Sequence, residues 1–356
     1  MQSEYSETVS TDKSSESATQ AGQEAPVVLI TGASSGIGQA MARHLAAQGY
    51  RVFGTGRNPA PAEGYTMLPL DVRQDESVQA CIAAVLAQAG RIDVLVNNAG
   101  YVGPVAASEE MALDQLRAVL ETNFFGAVRM VNAVLPIMRE QQHGYIVNVS
   151  SVAGLIGLPP FTSAYNASKH ALEGYSGTLR HEVAPFNIRV ALIEPGYFRS
   201  GIGETLETPA NPLPAYARGR RLNHAIERYS GNHSDDPIKV AHLLHRIIEH
   251  DWPALHHLVS SESHMAFWLS RPIGPMLDVL THWLYNFDGG PTLNAALADD
   301  NGAPVELTTE HFGLRRYIFN KDAQRELLTE VGEAAALLVG LGSVVLIALR
   351  LRRSRR

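Results

Sequence analysis

Polar positions crowd the first 25 residues, where Ser, Thr, Glu and Gln leave almost nothing apolar. Such a stretch cannot bury enough surface to offset its ordering entropy, so residues 1–25 are expected to be a disordered acidic tail. The pattern changes at Pro26. Val27, Val28, Leu29 and Ile30 form a wholly apolar, mostly β-branched run, which suits a strand covered on both faces. Short apolar runs then alternate with segments of helical period. Strands are predicted over residues 51–55, 67–70, 93–96, 145–149 and 188–193. Helices are predicted over 36–49, 77–88, most of 113–139, 163–183 and 238–250. This alternation predicts the α/β class: a doubly wound, parallel, Rossmann-type sheet in a single catalytic domain over 26–285. A C-terminal helical extension is expected beyond it, polar over 286–330 and apolar with a basic end over 331–356.

Thr31-Gly-Ala-Ser-Ser-Gly-Ile-Gly38 lies between the first predicted strand and the first helix. Gly32, Gly36 and Gly38 allow a tight turn and a close approach of backbone to a pyrophosphate at the helix N-terminus, with Ser34, Ser35 and Ile37 between them. The second strand ends at Gly56-Arg57 instead of an acidic residue. An acidic residue there would hold a ribose 2′-hydroxyl; Arg57 suits a 2′-phosphate, so NADP(H) is expected in preference to NAD(H). Asp71-Val72 after the third strand is placed to meet the adenine. Asn97-Asn98-Ala99-Gly100 after the fourth leaves room for a flat cofactor and offers amides that tie neighbouring strands.

The most specific constellation is Ser150-Ser151, Tyr165 and Lys169. Tyr165 and Lys169 are four apart on a predicted helix and share a face. A free tyrosine, with a pKa of about 10, is a poor base near neutrality. A neighbouring ammonium favours the phenolate and lets the tyrosine exchange a proton with an alcohol or carbonyl oxygen. A strand-end serine can hydrogen-bond the same oxygen.

These motifs resemble the short-chain dehydrogenase/reductase family over roughly residues 26–260. The resemblance rests on TGASSGIG, NNAG, Asn123–Gly126 (NxxG), Val149–Ser151, Tyr165–Lys169 (YNASK) and Pro195-Gly196. It implies a catalytic tetrad of Asn123, Ser151, Tyr165 and Lys169, with Asn123 holding a water that links Lys169 to solvent. It also implies cofactor contacts from Lys169 to the nicotinamide ribose and from Pro195, Gly196 and Ser200 to the nicotinamide. Ser151 precedes Tyr165 by one residue more than is usual in the family, so Ser150 stays a candidate; Ser151 is favoured because Val-Ala-Gly follows it. The run after Ser151 resembles hydroxysteroid and retinol dehydrogenases, which implies a lipophilic alcohol or carbonyl substrate. A homo-oligomer is expected. The rivals are a 3-oxoacyl-type reductase and a cofactor-sensing regulatory protein; the latter often loses the tyrosine or lysine that this chain keeps.

Charge and composition narrow the picture further. A net charge of −7 argues against nucleic acid as a partner. A lone cysteine, Cys81, forms no internal disulfide and no cysteine-based zinc site, and the histidines show no metal-ligand pattern, so no metal is assigned. With no apolar run at the N-terminus, a cytoplasmic protein is expected. Residues 334–349 are apolar on every side and run into Arg350, Arg352, Arg353, Arg355 and Arg356. That suggests a shallow insertion into the cytoplasmic face of a membrane, with the arginines on anionic headgroups. The competing reading is a buried helix or an oligomer contact.

Overall fold

The computed structural model describes residues 25–268 except 158, 200–205, 208, 210–211, 233, 262 and 265. The expected tail, Ser200 and everything beyond 268 lie outside the described residues.

Seven strands form one parallel sheet: β1 (Val27–Ile30), β2 (Arg51–Gly56), β3 (Thr66–Pro69), β4 (Val94–Asn97), β6 (Gly144–Val149), β7 (Ile188–Glu194) and β9 (His256–Leu258). Their order is β3-β2-β1-β4-β6-β7-β9. The chain winds outward from β1 in one direction and from β4 in the other, so a crevice opens where the two halves diverge. A separate two-stranded ladder joins β5 (Gly103–Pro104) to β8 (Leu206–Glu207).

Strand alternation explains the two-sided burial. Val28 and Ile30 pack on one face with α1 (Gly36–Ala47) and α7 (Ile238–Glu249). Val27 and Leu29 pack on the other with α2 (Asp75–Ala89), α4 (Gly126–Gln141) and α5 (Ser163–Val183). Such a strand cannot tolerate a polar side chain on either face without a partner. Asp93 marks the limit: it stands just before β4, and its buried carboxylate accepts the Val27 N–H at 2.8 Å and pairs with Arg91.

The helix predicted over 113–139 is interrupted. α3 (Leu113–Leu120) passes through a π-helical turn, Glu121–Phe125, before α4 begins. Such a turn inserts a residue and re-aims the side chains on it, and Asn123 is one of them. α5 has the bounds the period predicts. α6 (Ala217–Asn232), β9 and the β5–β8 ladder were not predicted.

Candidate active site

The crevice is lined first by the loop after β1. Gly32 has φ +66°, a backbone state that a side chain would strain. A Cβ on Gly38 would lie 2.2 Å from the Gly32 carbonyl, so the first turn of α1 closes directly on the loop. No side chain caps α1 at Ser35, and no carboxylate enters its first turn. That is the electrostatic condition for receiving an anionic group at a helix N-terminus. Thr31 Oγ1 accepts the N–H groups of Asn98 and Ala99 at 2.9 and 3.0 Å. The Asn98 amide donates to the carbonyls of Thr31 and Gly32, both at 3.0 Å. Asn97 in turn donates to Asn148 Oδ1 at 2.9 Å, so amides do stitch β1, β4 and β6 together.

Ser34 lies over Gly56 at the end of β2, which brings the glycine loop beside exposed Arg57. Arg57 and Asp71 are close enough for the guanidinium to help hold the Asp71 carboxyl below its usual value, although Arg73 does most of that through a two-pronged ion pair. Val72 beside it is buried. Ile37 packs partly on the core, and the Pro195 carbonyl accepts the Val152 N–H at 2.9 Å next to Gly196. An uncapped helix start, an adjoining loop with small residues at 99 and 100, and a cation at the far end fit an extended dinucleotide.

Tyr165 and Lys169 share one face of α5, as their spacing requires. Lys169 is buried, its Nζ 5.7 Å from the Tyr165 ring centre, and it donates to the Val149 carbonyl at 2.9 Å. Burial drives its pKa down to about 8, against a smaller upward pull from Glu173. A Cβ on Gly100 would stand 3.1 Å from Asn123 Oδ1 and 3.8 Å from Lys169 Nζ, so these three residues meet at one spot. The Asn123 amide is spent internally. It accepts the Tyr101 N–H at 3.0 Å and donates to the Tyr101 carbonyl at 2.9 Å and Ser168 Oγ at 3.0 Å. Ser168 Oγ donates to the Tyr165 carbonyl at 2.7 Å, which ties the π turn to the tyrosine's own helix.

The two serines differ in direction. Ser151 Oγ accepts the Ala153 N–H at 3.1 Å and caps the single helical turn that follows. Ser150 Oγ is turned toward Glu173: it and Glu173 Oε1 lie 2.7 and 3.1 Å from the position a Cβ on Gly154 would take.

Sequence reasoning missed a group beneath this site. Glu173 on α5, Glu194 at the end of β7 and His256 on β9 bring ligand atoms within 4.8 Å of one another. Glu194 is fully buried; its carboxylate takes His256 Nδ1 at 2.7 Å and the His257 N–H at 2.8 Å. That bond raises the His256 pKa, while burial raises both carboxyls, Glu173 to about 7. Two signals were available. Glu173 continues the i, i+4 stripe of Tyr165 and Lys169, and Glu194 is a charge closing an apolar strand.

The family model for short chain dehydrogenases matches residues 26–211. A 3-ketodihydrosphingosine reductase of Bacteroides thetaiotaomicron is 45% identical over 176 residues, 49% of this chain and 65% of that protein. Retinol dehydrogenase 8 of Bos taurus is 45% identical over 184 residues, 48% of this chain and 58% of that protein. The first of these alignments thus covers just under two thirds of its relative, the second rather less. A short-chain dehydrogenase from Streptomyces avermitilis superposes with a TM-score of 0.63 at 35% identity, covering 74% of this chain and 97% of that one. A metagenomic short-chain oxidoreductase solved with NADP gives 0.52 at 26% identity, over 66% of this chain and 96% of its own. A Burkholderia phymatum enzyme solved with NAD gives 0.62 at 25%, over 71% and 95%. Because the family model spans more than half of the sequence, from the glycine loop through the Tyr165–Lys169 helix, this chain belongs to the short-chain dehydrogenase family.

Proposed function

We propose that the protein is an NADP-preferring oxidoreductase that interconverts an alcohol with a ketone or aldehyde on a lipophilic substrate. The observation that carries this reading is the half-buried Tyr165 one helical turn from a sealed lysine, at the mouth of a loop shaped for a dinucleotide. A nicotinamide cofactor, when bound, supplies or accepts the hydride. The chain's own residues handle the oxygen and the proton. In the reductive direction Tyr165 Oη gives its proton to the carbonyl oxygen as that oxygen gains the electron pair of the C=O bond. Ser151 donates a hydrogen bond to the same oxygen and holds it in line. Lys169 steadies the phenolate left behind. Its pKa near 8 lets it both carry and release a proton close to neutrality. The Asn123 amide is occupied by Tyr101 and Ser168, so a solvent relay at that residue runs through backbone; the side chain fixes the π turn.

Arg57 at the adenosine end supports the NADP preference, since a guanidinium pairs with phosphate through two parallel bonds. The relatives named for 3-ketodihydrosphingosine and for retinol support a lipophilic substrate. We place the protein in the cytoplasm, in contact with a membrane through residues 334–349, where such a substrate dissolves. Among the described residues no helix is long and apolar enough to cross a membrane.

Purified protein assayed with NADPH and NADH against sphingoid, retinoid, steroid and short-chain ketones tests the reading. NADPH-dependent turnover that favours the long apolar carbonyls is expected. Arg57→Ala should raise the KM for NADPH roughly tenfold, the size of one lost charge-assisted bond, and leave NADH little changed. Equal efficiency with NADH in the unaltered protein removes the preference, and no turnover of any carbonyl removes the activity.

A further inference from the structure

Glu173 stands one turn beyond Lys169 and has no place in the tetrad. Its side chain is 12% exposed, and no backbone N–H reaches either carboxylate oxygen. His256 Nδ1 stands 3.6 Å from one of its oxygens, and the hydroxyl of Ser150, 3% exposed, points at the same carboxylate. A buried carboxylate with so few donors takes up a proton unless positive charge beside it favours the ionised form. Glu194 differs: N–H groups occupy both its oxygens, so its charge is settled by His256.

We propose that Glu173 is a positioning residue that acts through Lys169: its carboxylate, backed by the Glu194–His256 pair, supplies the negative charge that keeps the ammonium protonated in a pocket that otherwise desolvates it.

The other charges around the helix do not compete for this part. On α3 and the π turn, Asp114 pairs with Arg117 and Glu121 with Arg129, away from Lys169. Arg180, two turns further along α5, donates to the Pro253 carbonyl and acts on His256 and His257. Among the described residues, Glu173 is the charged group that pulls Lys169 upward against burial. Burial does most to set its own charge: it opposes ionisation, as Glu194 does, while Ser150, His256 and Lys169 favour it, and the carboxyl is pushed up to about 7. Between that value and the Lys169 value near 8, carboxylate and ammonium coexist. Removing the carboxylate takes a negative charge from beside both Lys169 and Tyr165, so the pair gives up its first proton at lower pH, whichever of the two is credited with it.

The inference rests on the oxidoreductase reading only for its kinetic arm. The chain has just four lysines, Lys13, Lys169, Lys239 and Lys321, few enough to assign in a ¹³Cε-lysine NMR titration by single arginine replacements. In full-length Glu173→Gln the Lys169 titration should move down by about half a pH unit or more. Lys239 should not move. The alkaline limb of NADPH-dependent reduction should shift the same way. If the glutamine variant fails to fold, Glu173→Met keeps the volume without the polar atoms and should give the same shift. A Lys169 titration equal to that of the unaltered protein overturns the proposal. A shifted titration in a protein that turns over no carbonyl supports the proposal and removes the oxidoreductase reading instead.

Discussion

At the level of single residues, the site depends on keeping a charged group where water cannot reach it. Lys169 sheds its hydration to reach the Val149 carbonyl, and the cost is visible in a pKa drawn down to about 8. Tyr165 sits on the same face and is half-buried, and on the proposed reading its hydroxyl is the group that exchanges a proton with the substrate. Tyr165→Phe deletes that proton and little else. Turnover should fall by about 10²-fold or more while NADPH affinity stays close to that of the unaltered protein. Steady-state rates and a fluorescence titration with NADPH decide it, and near-normal turnover would move the acid–base role elsewhere. The tyrosine and lysine were legible because four residues on a helix fix a shared face. The direction of each serine was not, because it depends on how the turn after β6 folds back against Gly154.

At the level of elements, strands with apolar residues on both faces announced themselves, and so did α5, which starts after Thr162 and stops just before Pro185. What stayed hidden did so for identifiable reasons. β9 reads His-His-Leu, a sequence with no alternation, and it becomes a strand only because β7 offers it an edge. The π turn spans five residues inside an unbroken helical period, so no change in polarity marks it. β9 matters beyond the sheet, since it carries His256 to the two carboxylates on β7 and α5. That cluster links protonation to folding. Glu173 holds its proton up to about 7 in the folded chain but only to 4.5 as a free group. Between those values the folded state binds more protons than the unfolded one, so this group's contribution makes stability fall as pH rises. His256, whose value is raised by Glu194, acts in the same direction: its stabilisation is full below 6.5 and fades as pH climbs through the raised value. Thermal midpoints measured from about pH 5 to 7.5 should therefore decline, and the decline should flatten in Glu173→Gln. Parallel curves for the two proteins would mean that Glu173 already ionises normally in the folded state.

At the level of the whole molecule, sequence and structure divide the chain between them. Residues 26–268 hold the sheet and the site, whereas the apolar run at 334–349 lies outside the described residues and is known by its composition alone. Composition still constrains it. A 16-residue run, apolar apart from Ser343, falls just short of the roughly 17–25 that span a bilayer, and an arginine cluster at its end favours the cytoplasmic side. A full span with that end cytoplasmic would carry the preceding catalytic domain across the membrane, away from cytosolic NADPH. On the membrane-contact reading proposed above, a shallow insertion would keep the domain and the arginines on one side. The full-length protein should then sediment with vesicles containing anionic lipid and release at high salt plus detergent. A form ending at Thr329 should stay in the supernatant, reduce a water-soluble ketone at an unchanged rate, and lose efficiency only on a substrate presented in vesicles. If instead the truncated form unfolds, or the full-length protein never sediments, the segment is packing for the domain or for a second copy of the chain.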